Sequence, residues 1–270
     1  MTSEQLVQKA KYIRKRAFEV VLHAGKGHLG GSLSSTELLV ALYYGGILNF
    51  DPNNPMHPDR DRFIMSKGHS NNTLYVILAD LGLIKESDLD SYTQDGSLLG
   101  GHCDSHVSGI EIISGSLGHG LGVAAGIALG AKLDSKEYRI YVIIGDGESQ
   151  EGSVWEAAMF AAHHKLSNLI AITDRNLLGS EEFTENNAGL EPLADKWKAF
   201  GWEVTIIQDG HSIEQVINIL RNLEQTGKPR MIIAQTIKGK GISSLENTPQ
   251  AHHTLPKGEF IAQAIEELGR

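Results

Sequence analysis

The sequence predicts an α/β protein built on a parallel sheet flanked by helices, and three features carry that prediction. Four short runs in the second half, RIYVIIG (139–145), NLIAIT (168–173), WEVTII (202–207) and RMIIAQT (230–236), are apolar and rich in β-branched residues, as strands buried on both faces are. Helical stretches at Trp155–His164, Pro192–Phe200 and Ile213–Gln225 separate them, so strand and helix alternate. Composition agrees, since 41% hydrophobic and 21% charged residues in a chain of 270 are ordinary for a globular protein and argue against disorder or a fibrous repeat. No internal repeat or linker divides the chain, and residues 1–270 are expected to form one domain.

The first half reads less evenly. Leu6, Ala10, Ile13, Ala17, Val20 and Val21 recur at three or four, which predicts an amphipathic helix from Glu4 to Ala24 ended by Gly25. After a loop, Ser34 and Glu37 stand at capping-box spacing before LLVALYY, so a second helix is expected from about Ser35 to Tyr44. Asp51–Pro58 is a proline-rich turn region, Phe63–Met65 a short strand, and TLYVILADLG a helix ending at Gly82. Glycines at 118, 122, 126 and 130 recur every four residues in a segment that reads as helical. Each interior glycine costs a helix about 1 kcal/mol relative to alanine, so the stripe is expected to meet a close neighbour, either a helix at a subunit interface or a bound cofactor.

Charge and cysteine usage exclude several classes of function. Lys plus Arg is 24 against 33 for Asp plus Glu, a net charge of −9 that repels a phosphate backbone or an anionic membrane, so no nucleic-acid or membrane partner is expected. The uncharged run Ile112–Ala131 contains His119 and six glycines and lacks the basic and aromatic flanks of a membrane span. Cys103 is the single cysteine, and MTSEQLVQKAKYIRKR lacks the apolar core of a signal peptide, which points to the cytoplasm. Gly25-Lys-Gly27-His-Leu-Gly30 fits the spacing of a dinucleotide loop but follows a helix where that motif follows a strand.

Chemistry concentrates at Gly145-Asp146-Gly147, at the end of one predicted strand, and at Asp174-Arg175-Asn176, at the end of the next. Asp146 and Asn176 are 30 residues apart, the length of one right-handed crossover, which puts both side chains at the carboxyl edge of the sheet where α/β ligands bind. Their hard oxygens suit a divalent cation such as Mg²⁺ that keeps positions free for phosphate oxygens. A diphosphate fits the remaining features: glycines that allow close backbone approach and a helix N-terminus near Ser153. Glu148 and Glu156 read as first-turn acids favoured by the helix dipole.

GDGESQEGSVWEAAMFAAHHKLSNLIAITDRN resembles the thiamine diphosphate motif of transketolases, and RDRFIMSKGHS (60–70), LGGHCD (99–104), SGSLGHGLGVAAGIALG (114–130) and TIKGKG (236–241) resemble further segments of that family in the same order. The resemblance implies a diphosphate-binding half-domain in which Asp146, Asn176 and the Leu178 carbonyl bind Mg²⁺ or Ca²⁺. It implies that His69 and the Gly147 N–H contact the cofactor diphosphate, that Gly115, Ser116 and Leu117 lie against its rings, and that Glu151 sits at the subunit interface linking paired sites. His28, His102 and His252 match histidines that line the substrate channel, with His253 adjacent to the last. Imidazole suits the removal and return of hydroxyl protons near neutral pH. His163 and His164 read as packing or surface residues, and Cys103 as no nucleophile, because the cofactor supplies that group. The same resemblance implies a separate subunit carrying the pyrimidine-binding domain, an α2β2 assembly, and transfer of a two-carbon ketol unit between sugar phosphates. Two alternatives are a subunit of another thiamine diphosphate enzyme, like deoxyxylulose-phosphate synthase or a 2-oxo acid dehydrogenase, and a non-catalytic cofactor-binding subunit.

Overall fold

The computed structural model describes residues 1–223 and 226–269. Five parallel strands form one sheet in the order β1-β2-β3-β5-β4: β1 Arg62–Met65, β2 Ile140–Gly145, β3 Leu169–Arg175, β4 Glu203–Ile207 and β5 Arg230–Gln235. The helices are α1 Ser3–Ala24, α2 Leu29–Ser34, α3 Thr36–Tyr44, α4 Asn71–Asp80, α5 His119–Leu133, α6 Gly152–His163, α7 Thr184–Asn187, α8 Leu193–Ala199, α9 Ile213–Arg221 and α10 Glu259–Gly269. The predicted helix 213–225 thus ends at Arg221, and its last two positions lie outside the described residues.

Strands β2 and β3 are buried along their whole length because each face of the sheet is covered. On one side Tyr141, Ile143, Ile170, Ile172 and Ile232 pack with the apolar stripe of α1 and with α3, α4 and α9. On the other, Val142, Ile144, Leu169, Ala171 and Met231 meet Leu121, Ala124 and Ala128 of α5, Ala158 and Ala161 of α6, and Trp197 of α8. α1 ends at Gly25 in the left-handed conformation, φ 70°, as its sequence predicts.

Two expectations for the segment after α1 are overturned. Residues 29–34, read as loop, form the short helix α2, whose glycines serve close packing: a methyl group on Gly30 would stand 2.4 Å from the Ala251 carbonyl oxygen, and one on Gly31 would stand 2.5 Å from Ser70 Oγ. The capping box at Ser34 and Glu37 does not form. Ser35 is the N-cap of α3 and makes no side-chain cap. Ser34 Oγ instead donates to Asp174 Oδ2 at 2.6 Å, and Glu37 is buried against Arg14. Long-range polar partners outcompete the local cap.

Of the glycine stripe, Gly122, Gly126 and Gly130 are helical as expected, whereas Gly118 is the left-handed N-cap of α5, φ 83°. Gly118 meets the close neighbour expected of the stripe: a methyl there would stand 2.4 Å from Ser153 Oγ and 2.8 Å from Glu151 Cβ. A methyl at Gly126 or Gly130 would meet nothing within 4 Å, and one at Gly122 would only touch Ala157 Cβ at 4.0 Å. Gly122, Val123 and Gly126 are exposed, as are Met159 and Phe160 on the adjoining α6. Among the described residues no helix is long and apolar enough to cross a membrane.

Candidate cofactor site

Register places the two expected metal ligands side by side. Gly145 of β2 pairs with Asp174 of β3, so Asp146 leaves the sheet next to Asn176 at its carboxyl edge. Asp146 is 1% exposed; its Oδ1 accepts from the Gly147 N–H at 2.8 Å and its Oδ2 from the Leu177 N–H at 2.6 Å, with Arg175 Nη1 at 3.3 Å. Asn176 Oδ1 accepts from the Leu178 N–H at 3.2 Å and its Nδ2 donates to Asp174 Oδ2 at 3.1 Å. Burial and the nearby Asp174 carboxylate push the Asp146 carboxyl up to about 6, even against Arg175 and two amides. The single guanidinium of Arg175 does not offset the burial of this carboxylate. With Asn176 and the Leu178 carbonyl beside it, the donor set is all oxygen, and it fits a hard divalent cation.

A cavity of about 410 Å³ opens above this edge. Asp146, Gly147, Asn176 and Leu178 form its floor, Leu117 and Glu151 one side, and His69 and His252 another. After Gly147 the chain makes a 3₁₀ turn to Gln150 before α6 begins at Gly152, with the Gly147 N–H on Asp146 Oδ1 and the Ser149 and Glu151 N–H groups on the Asp146 and Glu148 carbonyls. Lys67 and Lys238 also line the cavity, among the carboxylates of Asp146, Glu148, Glu151, Glu181 and Glu182. Lys67 Nζ donates to the Gly31 carbonyl at 2.7 Å and pairs with Asp174, which takes further hydrogen bonds from Ser34 and Thr236. Lys238 Nζ donates to the Leu178 carbonyl at 3.3 Å and also to that of Gly179, and burial lowers it to about 8.

The histidines drawn from separate loops do converge. The His28 ring lies 5.3 Å from His69, 5.6 Å from His102 and 5.2 Å from His252, centroid to centroid. His252 is the member of its pair that lines the cavity, while His253 is exposed at the rim. Burial first, then neighbouring histidines and Lys238, hold His28 down to about 4; burial and Lys238 hold His252 down to about 3, and burial with Lys67 keeps His69 well below its ordinary value. These imidazoles are neutral at pH 7. The Nδ1 atoms of His28 and His252 are buried without a partner and closed to solvent. Ligand atoms of His28, His252 and His253 come within 4.8 Å of one another, but the two lysine ammonium groups oppose a dication there and favour hydroxyl and phosphate groups.

Gly115 and Ser116 are exposed and lie outside the cavity wall, with Gly115 near His102. Glu156 is exposed but lies beyond the first turn of α6, which begins at Gly152 and carries no acid there, so it is not the first-turn acid expected. Glu148 is no surface acid: it is 2% exposed, accepts from the Gly145 N–H at 3.0 Å, the Gly118 N–H at 2.9 Å and Ser66 Oγ, and so ties three cavity loops together. Lys67, Asp174, Lys238 and Glu148 escaped the sequence reading, although Lys67 and Lys238 lie inside two of the matched segments, SKGHS and TIKGKG.

Comparison with known proteins accords with this geometry. The chain belongs to the family described as transketolase, thiamine diphosphate binding domain, whose model matches residues 5–270. It is 43% identical over 269 residues to one of the subunits of apulose-4-phosphate transketolase from Phocaeicola vulgatus, covering 99% of this chain and 95% of that one. It is also 43% identical to a 6-deoxy-6-sulfo-D-fructose transketolase subunit from a Clostridium species, covering 97% and 96% of the two chains. The crystal structure of transketolase from Campylobacter jejuni superposes with a TM-score of 0.91 at 34% identity, covering 100% of this chain and 43% of that one. The chain therefore spans less than half of that transketolase.

Proposed function

We propose that this chain is the N-terminal subunit of a two-chain transketolase of the cytoplasm. With a separate subunit that carries the pyrimidine-binding domain, most simply as α2β2, it would transfer a two-carbon ketol unit from a ketose phosphate to an aldose phosphate. The observation that carries the reading is the pairing of a carboxylate–amide floor, Asp146 and Asn176, with the neutral imidazoles of His69 and His252 in the same cavity, where the His28 ring packs against both. The match to two named transketolase subunits over nearly their whole length supports the two-chain form.

In this reading Asp146, Asn176 and the Leu178 carbonyl hold Mg²⁺ or Ca²⁺, while His69 and the Gly147 N–H contact the diphosphate. Gly115, Ser116 and Leu117 support the rings, and Glu151 faces the paired site across the interface. Thiamine diphosphate held by these residues would supply the nucleophilic carbon that the reaction needs. His28 and His252, neutral at pH 7, accept a hydroxyl proton from the donor sugar and return one to the acceptor, with His102 alongside. The exposed glycine stripe with Met159 and Phe160 suits a contact between copies of this chain. Assays with the chain and its partner subunit test the proposal: ketol transfer should require both subunits, thiamine diphosphate and a divalent cation, and a hydroxylated ketose phosphate as donor. Full transfer by this chain alone, or a preference for pyruvate as donor, would overturn it.

A further inference from the structure

Outside the cavity wall, a buried polar chain runs from α1 to the loop that carries Lys238. Arg14 Nη2 contacts both oxygens of Glu37, at 2.5 and 2.6 Å, and both residues are more than nine-tenths buried. His211 stands on the other side of Glu37, with its Nδ1 2.9 Å from Glu37 Oε2. The Ile237 N–H donates to His211 Nε2 at 2.9 Å. Since Nε2 must offer a lone pair to that N–H, the ring proton sits on Nδ1 and is donated to Glu37.

Ile237 belongs to a loop that grips the candidate site from several directions. Thr236 Oγ1 donates to Asp174, Lys238 Nζ to the Leu178 carbonyl, and the Gly239 N–H to the Gly30 carbonyl at 3.0 Å. The loop thus joins the strand end that carries Asn176 and Leu178 to the turn that carries His28. Its backbone is further held by the Thr236 N–H on the Arg175 carbonyl, the Asn247 N–H on the Lys238 carbonyl and the Gly241 N–H on Glu246. The Ile237 N–H, next to Lys238, is instead bonded by the His211 side chain, itself oriented by Glu37 and by its own backbone N–H to Asp209 Oδ1 at 2.9 Å.

We propose that His211 is a positioning residue for cofactor binding: held by Arg14 and Glu37, it fixes the Ile237 N–H and thereby sets Lys238 against the loop of Asn176 and Leu178. This rests on reading the cavity as a thiamine diphosphate site. His211 touches neither cofactor nor substrate, so its removal acts on affinity and leaves turnover at saturation intact.

Asn and Gln variants separate the two bonds. An asparagine amide at position 211 reaches Glu37 in place of Nδ1 and falls short of Ile237, whereas a glutamine oxygen reaches Ile237 in place of Nε2. His211→Asn, assayed as the complex with the partner subunit, should raise the half-saturating thiamine diphosphate concentration about tenfold, the lower end of the loss seen when an outer-shell partner is removed. Its kcat at saturation should stay at the wild-type value, and hydrogen exchange should quicken in residues 236–241. His211→Gln should restore both affinity and protection. Wild-type affinity in His211→Asn, or a Gln variant as weak as the Asn variant, would overturn the proposal, as would faster exchange with no change in affinity. If the wild-type complex takes up no thiamine diphosphate, the functional reading fails instead, and unchanged exchange in purified His211→Asn still refutes the clasp. Should His211→Asn not fold, His211→Gln decides alone: wild-type affinity and protection support the clasp, and loss of either overturns it.

Discussion

The floor and the mouth of the cavity are built on opposite plans. On the floor the side chains of Asp146, Asp174, Lys67 and Asn176 already have partners within the chain, and the first three are at most 2% exposed. At the mouth, His28 and His252 keep buried nitrogens without partners, and burial denies them a proton. A floor satisfied in advance holds its geometry without a ligand, whereas rings with unpartnered nitrogens are less tightly fixed by the chain itself. In the proposed function, binding and chemistry would thereby be divided between two sets of residues.

Mutations should separate the two plans. The largest effect on folding is expected on the floor: Lys67→Met removes the ammonium paired with Asp174, whose side chain is fully buried, and should lower unfolding free energy in urea by about 3–5 kcal/mol. At the mouth, His28→Asn should cut ketol transfer about 100-fold while stability changes by less than about 1 kcal/mol, because the residue works on the ligand and not on the fold. If Lys67→Met were silent in urea and His28→Asn severely destabilising, the division would be reversed.

Acid sharpens the same contrast. His28 and His252 titrate at about 4 and about 3 in the folded chain against 6.5 for a free imidazole, so the unfolded chain takes up protons first as pH falls. Their contribution to stability is complete above pH 6.5 and is lost toward pH 4 and 3. The urea midpoint should therefore drop between pH 7 and 5, and the drop should shrink in a His28→Asn, His252→Asn double variant; an equal drop in that variant would contradict the assignment. The smallest effect on the isolated fold is expected from Gly122→Leu and Gly126→Leu, which point into open space and should weaken assembly instead. Unchanged assembly and cofactor affinity in both would remove the stripe from the interface.

What could be read from the sequence follows from how local each signal is. The strands at 139–145 and 168–173 declared themselves by apolar runs, and Asp146 and Asn176 by standing at their ends. The histidines needed family resemblance, because nothing local says that His28 and His252, 224 positions apart, end with their rings 5.2 Å from each other. Glu148, Glu37 and Ser34 were misread for the same physical reason: their short-range signals, first-turn acid and capping box, are genuine preferences of about 1 kcal/mol that buried partners override. Those partners lie 82 positions away for Glu148 and Ser66, 174 for Glu37 and His211, and 140 for Ser34 and Asp174. Lys67 and Asp174, separated by 107 positions, belong with them.

The central claim is that the floor is a ready-made seat for a diphosphate and its cation. Calorimetric titration of thiamine diphosphate into the chain with its partner subunit, with Mg²⁺ and then with a chelator, tests it most directly when repeated on Asp146→Ala. Binding should need the cation and should weaken by more than about 100-fold in Asp146→Ala, beyond what loss of an outer-shell partner costs. Equal affinity with and without the cation, or wild-type affinity in Asp146→Ala, would contradict the account.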